Sequence, residues 1–337
     1  MENSENIENI ESNENLNFQS RLNLEPLRES IDKIKAEMET VIVGQHKMID
    51  QLLVAILANG HVLIEGVPGV AKTMTSKIIA KTLSVGFSRI QFTPDLMPSD
   101  ILGTSVFDLK KSEFEFKKGP IFSNLILIDE INRAPAKTQA ALFEVMEERQ
   151  ITIDGNSFQL ERPFIVLATQ NPIEQEGTYR LPEAQLDRFI FKINIDYPKL
   201  DEEISIIQRE HNLQNTGKLE HIKAVLSASD IMNYQALVKQ IIVEPNLLEY
   251  IAKLVVNTRE NAFLYLGASP RASIAILNAA KGFAAIRGRD FVTPEDIKEA
   301  AIPVLQHRVI VTPEREMEGL TSVEIIKQII ESIEIPR

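Results

Sequence analysis

Residues 61–73, HVLIEGVPGVAKT, constrain the architecture of this chain more than any other stretch. Val62, Leu63 and Ile64 form an apolar run that ends at Glu65. A Gly/Pro turn follows, and beyond Lys72 and Thr73 the residues Ile78, Ile79 and Leu83 keep helical spacing. Strand, loop and helix in that order fit the phosphate-binding pattern GxxxxGK[ST] at every position but one, because Ala71 stands where the second glycine usually sits. A dinucleotide fingerprint is excluded, since GxGxxG cannot be laid on Gly66 and Gly69.

A polyphosphate needs many donors close together, which explains these residue types. Gly66 and Gly69 carry no Cβ and can take positive φ, so backbone N–H groups of the loop can turn inward as an anion nest, with the positive end of the next helix aimed at the same point. Ala71 needs only helical dihedrals, where a methyl group fits. The candidate nucleotide contacts are therefore Gly66, Val67, Pro68, Gly69, Val70 and Ala71 in the loop and Lys72, Thr73 and Met74 at the start of the helix. Lys72 would bridge the β and γ phosphates as a point charge, and the Thr73 hydroxyl would coordinate Mg²⁺.

The 337 residues suffice for two domains, each with its own core. The net charge of −12 argues against non-specific binding of nucleic acid. With no cysteine, disulfides and thiolate metal sites are impossible, and the five histidines form no HxxxH or HExxH pair. No apolar run approaches the ~18 residues of a membrane span, and the N-terminus shows no basic-then-apolar signal, so the expected location is the cytoplasm.

Residues 1–19 are Asn, Glu and Ser with isolated apolar residues, five of the first twenty being Glu, and are expected to form a disordered acidic tail. Leu27, Ile31, Ile34 and Met38 then mark an amphipathic helix, Val41, Ile42 and Val43 a short strand-like piece, and residues 48–57 a second helix. Five apolar runs read as strands: 62–64, 89–92, 125–128, 164–167 and 189–191. Separated by helices, they imply a parallel sheet covered on both faces. Two hairpins are expected, at 105–117 and at 150–162 around an Asp154-Gly155 turn. Beyond Pro198 the pattern is purely helical, with helix starts at Ser269-Pro270 and at Thr293-Pro294 with Asp296. The expected division is a nucleotide-binding α/β domain over 20–197 and a smaller helical domain over 198–337.

The run LILIDE, 125–130, ends a buried strand in two carboxylates. In a phosphate-loop protein Asp129 would hold Mg²⁺ and Glu130 would orient and deprotonate the attacking water. The next buried strand ends at Asn171, whose amide is a candidate sensor of the γ phosphate. Arg188 precedes the last strand and Arg271 opens a C-terminal helix. Either suits a nucleotide held at a boundary, where cations offset charge developing in the transition state.

Val43-Gly44-Gln45, GVPGVAKT, TPDLMPSDILG, LILIDEINRAP, ATQNP, LPEAQLDRF and SPRA, spread over 41–272, together resemble the MoxR family of AAA+ ATPases. Ala71 agrees with that family. The resemblance implies a five-stranded parallel sheet of the AAA+ phosphate-loop type with a C-terminal all-helical lid, and an ATP-driven remodelling ATPase assembled as a ring, six-membered in such proteins, with nucleotide between subunits. It places Val43 and Gly44 near adenine, makes Arg188 the finger reaching the next subunit's ATP and Arg271 sensor 2, and brings Arg133 to the interface. It makes the hairpins insertions that grip a partner, and the partner a client protein, often one with a von Willebrand factor A domain. A nucleotide-dependent switch without turnover is a second reading, against which Glu130 argues. A nucleic-acid motor is a third, resting on hairpin lysines Lys110, Lys111, Lys117 and Lys118 that read better as solubilising turn residues. Adenine is favoured over guanine because no NKxD motif is present.

Overall fold

The computed structural model describes residues 21–67, 72–171, 178–212 and 221–335. The tail expected over 1–19 and the loop residues Pro68, Gly69, Val70 and Ala71 lie outside the described residues.

Helices α1 (Glu25–Glu39) and α2 (His46–Leu57) lead into β1 (His61–Gly66), α3 (Lys72–Thr82) and β2 (Phe87–Gln91). A short α4 (Pro98–Leu102) precedes a hairpin of β3 (Gly103–Asp108) and β4 (Glu113–Lys118), after which come β5 (Leu125–Asp129) and α5 (Ala136–Glu148). The second hairpin is β6 (Gln150–Ile153) and β7 (Asn156–Gln159), followed by β8 (Ile165–Gln170), α6 (Glu183–Leu186), β9 (Phe189–Ile195) and α7 (Leu200–Asn212). The C-terminal part holds α8 (Ala228–Lys239), α9 (Pro245–Glu260), β10 (Leu264–Leu266), α10 (Pro270–Ile286), α11 (Pro294–Leu305), β11 (Ile310–Val311), α12 (Pro313–Met317) and α13 (Ser322–Ser332).

The five apolar runs form one sheet in the order β2-β5-β8-β1-β9, every neighbouring pair parallel. Successive side chains of a strand point to opposite faces, so each strand feeds two cores. Val62, Ile64, Leu125, Leu127, Ile165 and Leu167 enter one core with α2, α3 and the C-terminal helices. Leu63, Ile126, Ile128, Val166 and Ala168 enter the other with Leu142, Phe143 and Met146 of α5. Burial of both faces, at ~1.5–3 kcal/mol per large apolar side chain, is what makes these strands read as unbroken apolar runs.

α1 buries Leu27, Ile31, Ile34 and Met38, as its spacing predicts. Both hairpins form, the second turning through Asp154 and Gly155 at positive φ (51° and 77°). They pack on each other through Phe116 stacked on Phe158 at 4.4 Å and through Ser105 Oγ, which donates to Asp154 Oδ2 at 2.6 Å. The helix starts also hold: Ser269 Oγ accepts from the Arg271 N–H at 3.2 Å, and the Thr293 N–H donates to Asp296 Oδ2 at 2.9 Å.

Two expectations are corrected. Residues 41–43 leave a turn at Val41 as irregular backbone and form no strand, because Gly44 and Gln45 at φ 68° and 59° bend the chain straight into α2. The C-terminal part is not purely helical, since β10 and β11 pair antiparallel through Leu264 with Val311 and Leu266 with Ile310.

Candidate functional site

β1 stops at Gly66, β5 at Asp129 and β8 at Gln170, and the register sets Glu65 beside Gln170 and Ile128 beside Ala168. The three strands end on one edge, and open α/β sheets bind ligands outside the carboxyl ends of their strands. Gly66, Lys72, both carboxylates and Asn171 thus converge although up to about a hundred residues separate them in the chain.

Lys72 Nζ donates to the Gly66 carbonyl at 2.6 Å, which holds the ammonium at the end of β1. Thr73 and Met74 follow on the first turn of α3, half-buried. Asp129 is buried, 7% exposed, with Oδ2 accepting from Arg89 Nε at 2.6 Å and Oδ1 from the Thr169 hydroxyl at 3.2 Å. The same Thr169 hydroxyl accepts from the Glu130 N–H at 3.0 Å. Glu130 takes a left-handed φ of 59°, which turns the chain sharply off the strand end. Its Oε2 accepts from Gln91 Nε2 at 2.6 Å and lies 3.3 Å from Arg133 Nε. Arg133, expected at an interface, is therefore paired with Glu130 of its own chain. Asn171 is buried beside them at the end of β8.

The donor chemistry fits magnesium: a carboxylate at Asp129 and a hydroxyl at Thr73 are hard oxygen ligands, and Mg²⁺ is usually held by one or two such groups together with substrate phosphates. Val43 and Gly44 line a cavity of about 310 Å³ with Glu39 and Ile42 on one side and Asp201, Glu202, Ser205 and Arg209 of α7 on the other.

Arg188 and Arg271 lie elsewhere. Phe189 opens β9 and pairs in register with His61, the first residue of β1, so Arg188 sits at the amino end of the strands. His61 and Gly66 are five steps apart, and at ~3.3 Å per residue the two edges of the sheet are separated by about 17 Å. Arg188 Nη1 donates to the Phe143 carbonyl at 2.8 Å and to Glu147 Oε2 at 3.0 Å. Arg271 Nη2 donates to the other oxygen of the same carboxylate, Glu147 Oε1, at 3.1 Å. The neighbouring Asp187 ties this edge to the C-terminal helices. It accepts from Ser269 Oγ at 2.8 Å and from Nε of the buried Arg308 at 2.6 Å. Arg308 also donates to the Phe189 carbonyl at 2.6 Å.

Sequence reasoning did not single out Arg89, Gln91, Thr169, Glu147, Asp187 or Arg308. Arg89 and Gln91 alternate on an edge strand and fall beside the two carboxylates only through the β2-β5 register, in which Gln91 pairs with Asp129.

Residues 61–191 match the family model of the ATPase family associated with various cellular activities (AAA), and residues 256–329 match that of the AAA lid domain. YeaC of Bacillus subtilis is 43% identical over 312 residues, covering 93% of this chain and 97% of that one. The chaperone MoxR1 of Mycobacterium tuberculosis is 42% identical over 317 residues, covering 91% of this chain and 83% of its own. Protein MoxR of Methylorubrum extorquens is 28% identical over 92% of this chain and 96% of its own. Among solved structures, a Cytophaga hutchinsonii protein assigned as an ATPase superposes with a TM-score of 0.86 at 43% identity, over 93% of this chain and 97% of that one. The sheet order, the edge that gathers Gly66 and Lys72 with two carboxylates, the helical C-terminal region and these relatives agree: this chain is an ATPase, and it belongs to the MoxR family of AAA+ ATPases.

Proposed function

We propose that the chain hydrolyses Mg·ATP at an interface between its own copies and uses the cycle to remodel a client protein. The observation that carries the reading is the division of the site between two edges of one sheet. Lys72, Asp129, Glu130 and Asn171 lie at the carboxyl edge, whereas Arg188 and Arg271 lie about 17 Å away at the amino edge. A guanidinium at that edge serves another subunit's phosphates better than its own. Copies joined carboxyl edge to amino edge make a heterologous contact, which closes into a ring when the rotation permits; six members is the number that we adopt from the family resemblance.

In this reading Lys72 and the loop amides, with Gly66, Val67, Pro68, Gly69, Val70 and Ala71, hold the polyphosphate, and the cavity at Val43 and Gly44 takes adenine. Thr73 and Asp129 hold magnesium, which would offset phosphate charge. Glu130 deprotonates the attacking water after leaving Gln91 and Arg133, and Asn171 orients that water. Arg188 and Arg271 of the adjoining subunit offset the charge that builds on the γ phosphate. The client meets the first hairpin, whose tip exposes Phe107, Leu109 and Phe114. Its lysines are partly engaged, Lys111 with Glu115 at 3.8 Å and Lys118 over the Phe122 ring at 5.1 Å, which favours a protein client over nucleic acid. A chaperone-like role agrees with the name of the relative MoxR1, and a von Willebrand factor A domain is the client class that the family resemblance suggests. The cytoplasm is the location in which we place the cycle.

Two variants test it. Glu130→Gln should keep ATP affinity and lose phosphate release about 10²–10⁴-fold, as expected for a lost general base. Arg188→Ala should be nearly as inactive alone. Mixed one to one, the two should recover about a quarter of wild-type turnover, since random assembly into heterologous contacts creates some sites with an intact base and an intact arginine. A mixture as inactive as its components refutes a shared site.

A further inference from the structure

We propose that Glu147 is a positioning residue that couples Arg188 and Arg271 into one two-pronged cation clamp for the neighbouring subunit's triphosphate. The inference rests on the shared-site reading above and adds the part that makes the two arginines act as one.

Glu147 lies in the last turn of α5 and splits its carboxylate between the two, Oε2 with Arg188 at 3.0 Å and Oε1 with Arg271 at 3.1 Å. The arginines come from different parts of the chain, one just before β9 and the other on the first turn of α10. The segments that carry them are also joined, because Ser269, the cap that accepts from the Arg271 N–H, donates a hydrogen bond from its hydroxyl to the carboxylate of Asp187, the residue before Arg188. The head groups are linked through Glu147 and the segments behind them through Ser269 and Asp187, which fixes the spacing of two like charges that would otherwise repel. One carboxylate between them offsets that repulsion and leaves the group with a net positive charge.

An ordinary ion pair would leave less over. Each guanidinium engages Glu147 through a single terminal nitrogen, and among the described residues the other terminal nitrogen of each has no partner. Arg188 Nε is buried and likewise without a partner among them. Arg188 is gripped from behind by the Phe143 carbonyl and is 26% exposed, while Arg271 is 53% exposed. Two planar guanidinium groups with donors to spare, tied to helix α5 through Glu147, suit a multiply charged phosphate group, and alignment of that kind acts on turnover more than on ground-state binding.

The test is steady-state ATP hydrolysis by Glu147→Ala and the isosteric Glu147→Gln, with ADP affinity and thermal midpoint measured on each. Expected for Glu147→Ala is a kcat about tenfold lower with KM for ATP within about twofold, and for Glu147→Gln a loss of about threefold, because one oxygen acceptor remains. Adding Arg271→Ala to Glu147→Ala should lower kcat by no more than about a further twofold, the non-additivity expected of groups acting as a unit. Mixing Glu147→Ala with Glu130→Gln, which carries both arginines and its own Glu147, should restore turnover, a rescue that damage to the variant's own nucleotide site would not allow. Should Glu147→Ala fail to fold, the same mixing and kinetics on Glu147→Gln decide. If Arg188→Ala and Arg271→Ala lower turnover while both Glu147 variants run at the wild-type rate, or if the losses multiply, the clamp is wrong and the shared site stands. If the single arginine variants keep wild-type turnover, both fall.

Discussion

His61, the first residue of β1, carries a prediction that can be worked through from its surroundings. Its ring is 5% exposed, packs edge-on against Phe164 at 5.7 Å, and joins two other elements to the strand. Nδ1 accepts from the Val166 N–H of β8 at 3.0 Å, so the proton sits on Nε2, which donates to the Met146 carbonyl of α5 at 3.2 Å. Burial first, and the nearby Arg149 charge second, lower its pKa from 6.5 to about 4, against a smaller opposing effect of the Met146 carbonyl. The unfolded chain therefore binds a proton near pH 6.5 that the folded chain refuses until about pH 4. Stability from this group is complete above pH 6.5 and is lost as pH falls from there toward 4, by about 3 kcal/mol in all.

Glutamine can copy both bonds without titrating, its amide nitrogen donating to Met146 and its amide oxygen accepting from Val166. Urea unfolding of wild type and His61→Gln, without nucleotide and at equal concentration, should put wild type ahead by about 1 kcal/mol at pH 7.5, the worth of the lost ring contact. By pH 4.5 two units of the window have been crossed, and His61→Gln should be ahead by about 2 kcal/mol. Titrations common to both proteins, including that of the buried His307, cancel in the difference. A difference that stays constant from pH 7.5 to 4.5 would show that His61 protonates as freely in the fold as outside it, and the pinning of β1 described above would be wrong.

Two further outcomes follow from paired charges. Asp187→Ala leaves the guanidinium of Arg308, 3% exposed, without its counter-ion; breaking such a pair costs about 3 kcal/mol, which should lower the thermal midpoint by roughly 5–10 °C, with Asp187→Asn losing about half as much. An unchanged midpoint would remove Asp187 as the link between β9 and the C-terminal helices. Arg89→Gln frees the Asp129 carboxylate from its cation and should tighten Mg²⁺ binding to the ADP-loaded protein about fivefold at low salt, the gain shrinking in high salt because Arg89 is half exposed. Titration calorimetry giving equal Mg²⁺ affinities would refute that competition.

What the sequence discloses follows from where the physics is local. β1, β5, β8 and β9 are legible because burial on both faces imposes unbroken apolar runs, and β2 is less so because, at the sheet edge, only Ile90 of its five residues is buried. Residues 41–43 have a strand's composition but not its fate, since two left-handed residues right after them decide the backbone. β10 and β11, three residues and two, are too short to show any period, and their partners lie more than forty residues apart.

The same distinction divides the site. Lys72, Thr73, Asp129 and Glu130 are legible because the phosphate and magnesium roles proposed for them need residues adjacent to one loop or one strand end, so the spacing along the chain is what carries the proposal. Glu147 is the opposite case: within Glu144, Glu147, Glu148 and Arg149 it reads as one more charge on a solvated helix face. Only the reversal of α5, from the carboxyl edge of the sheet back to its amino edge, brings it under Arg188, and only the Ser269 to Asp187 bond brings Arg271 to meet it. On the shared-site reading, the residues proposed to serve their own subunit's nucleotide stand in contiguous motifs, and so do the two arginines proposed for a neighbour, in LPEAQLDRF and SPRA; only Glu147, the residue proposed to couple them, is brought to its place by packing alone, and no motif discloses it.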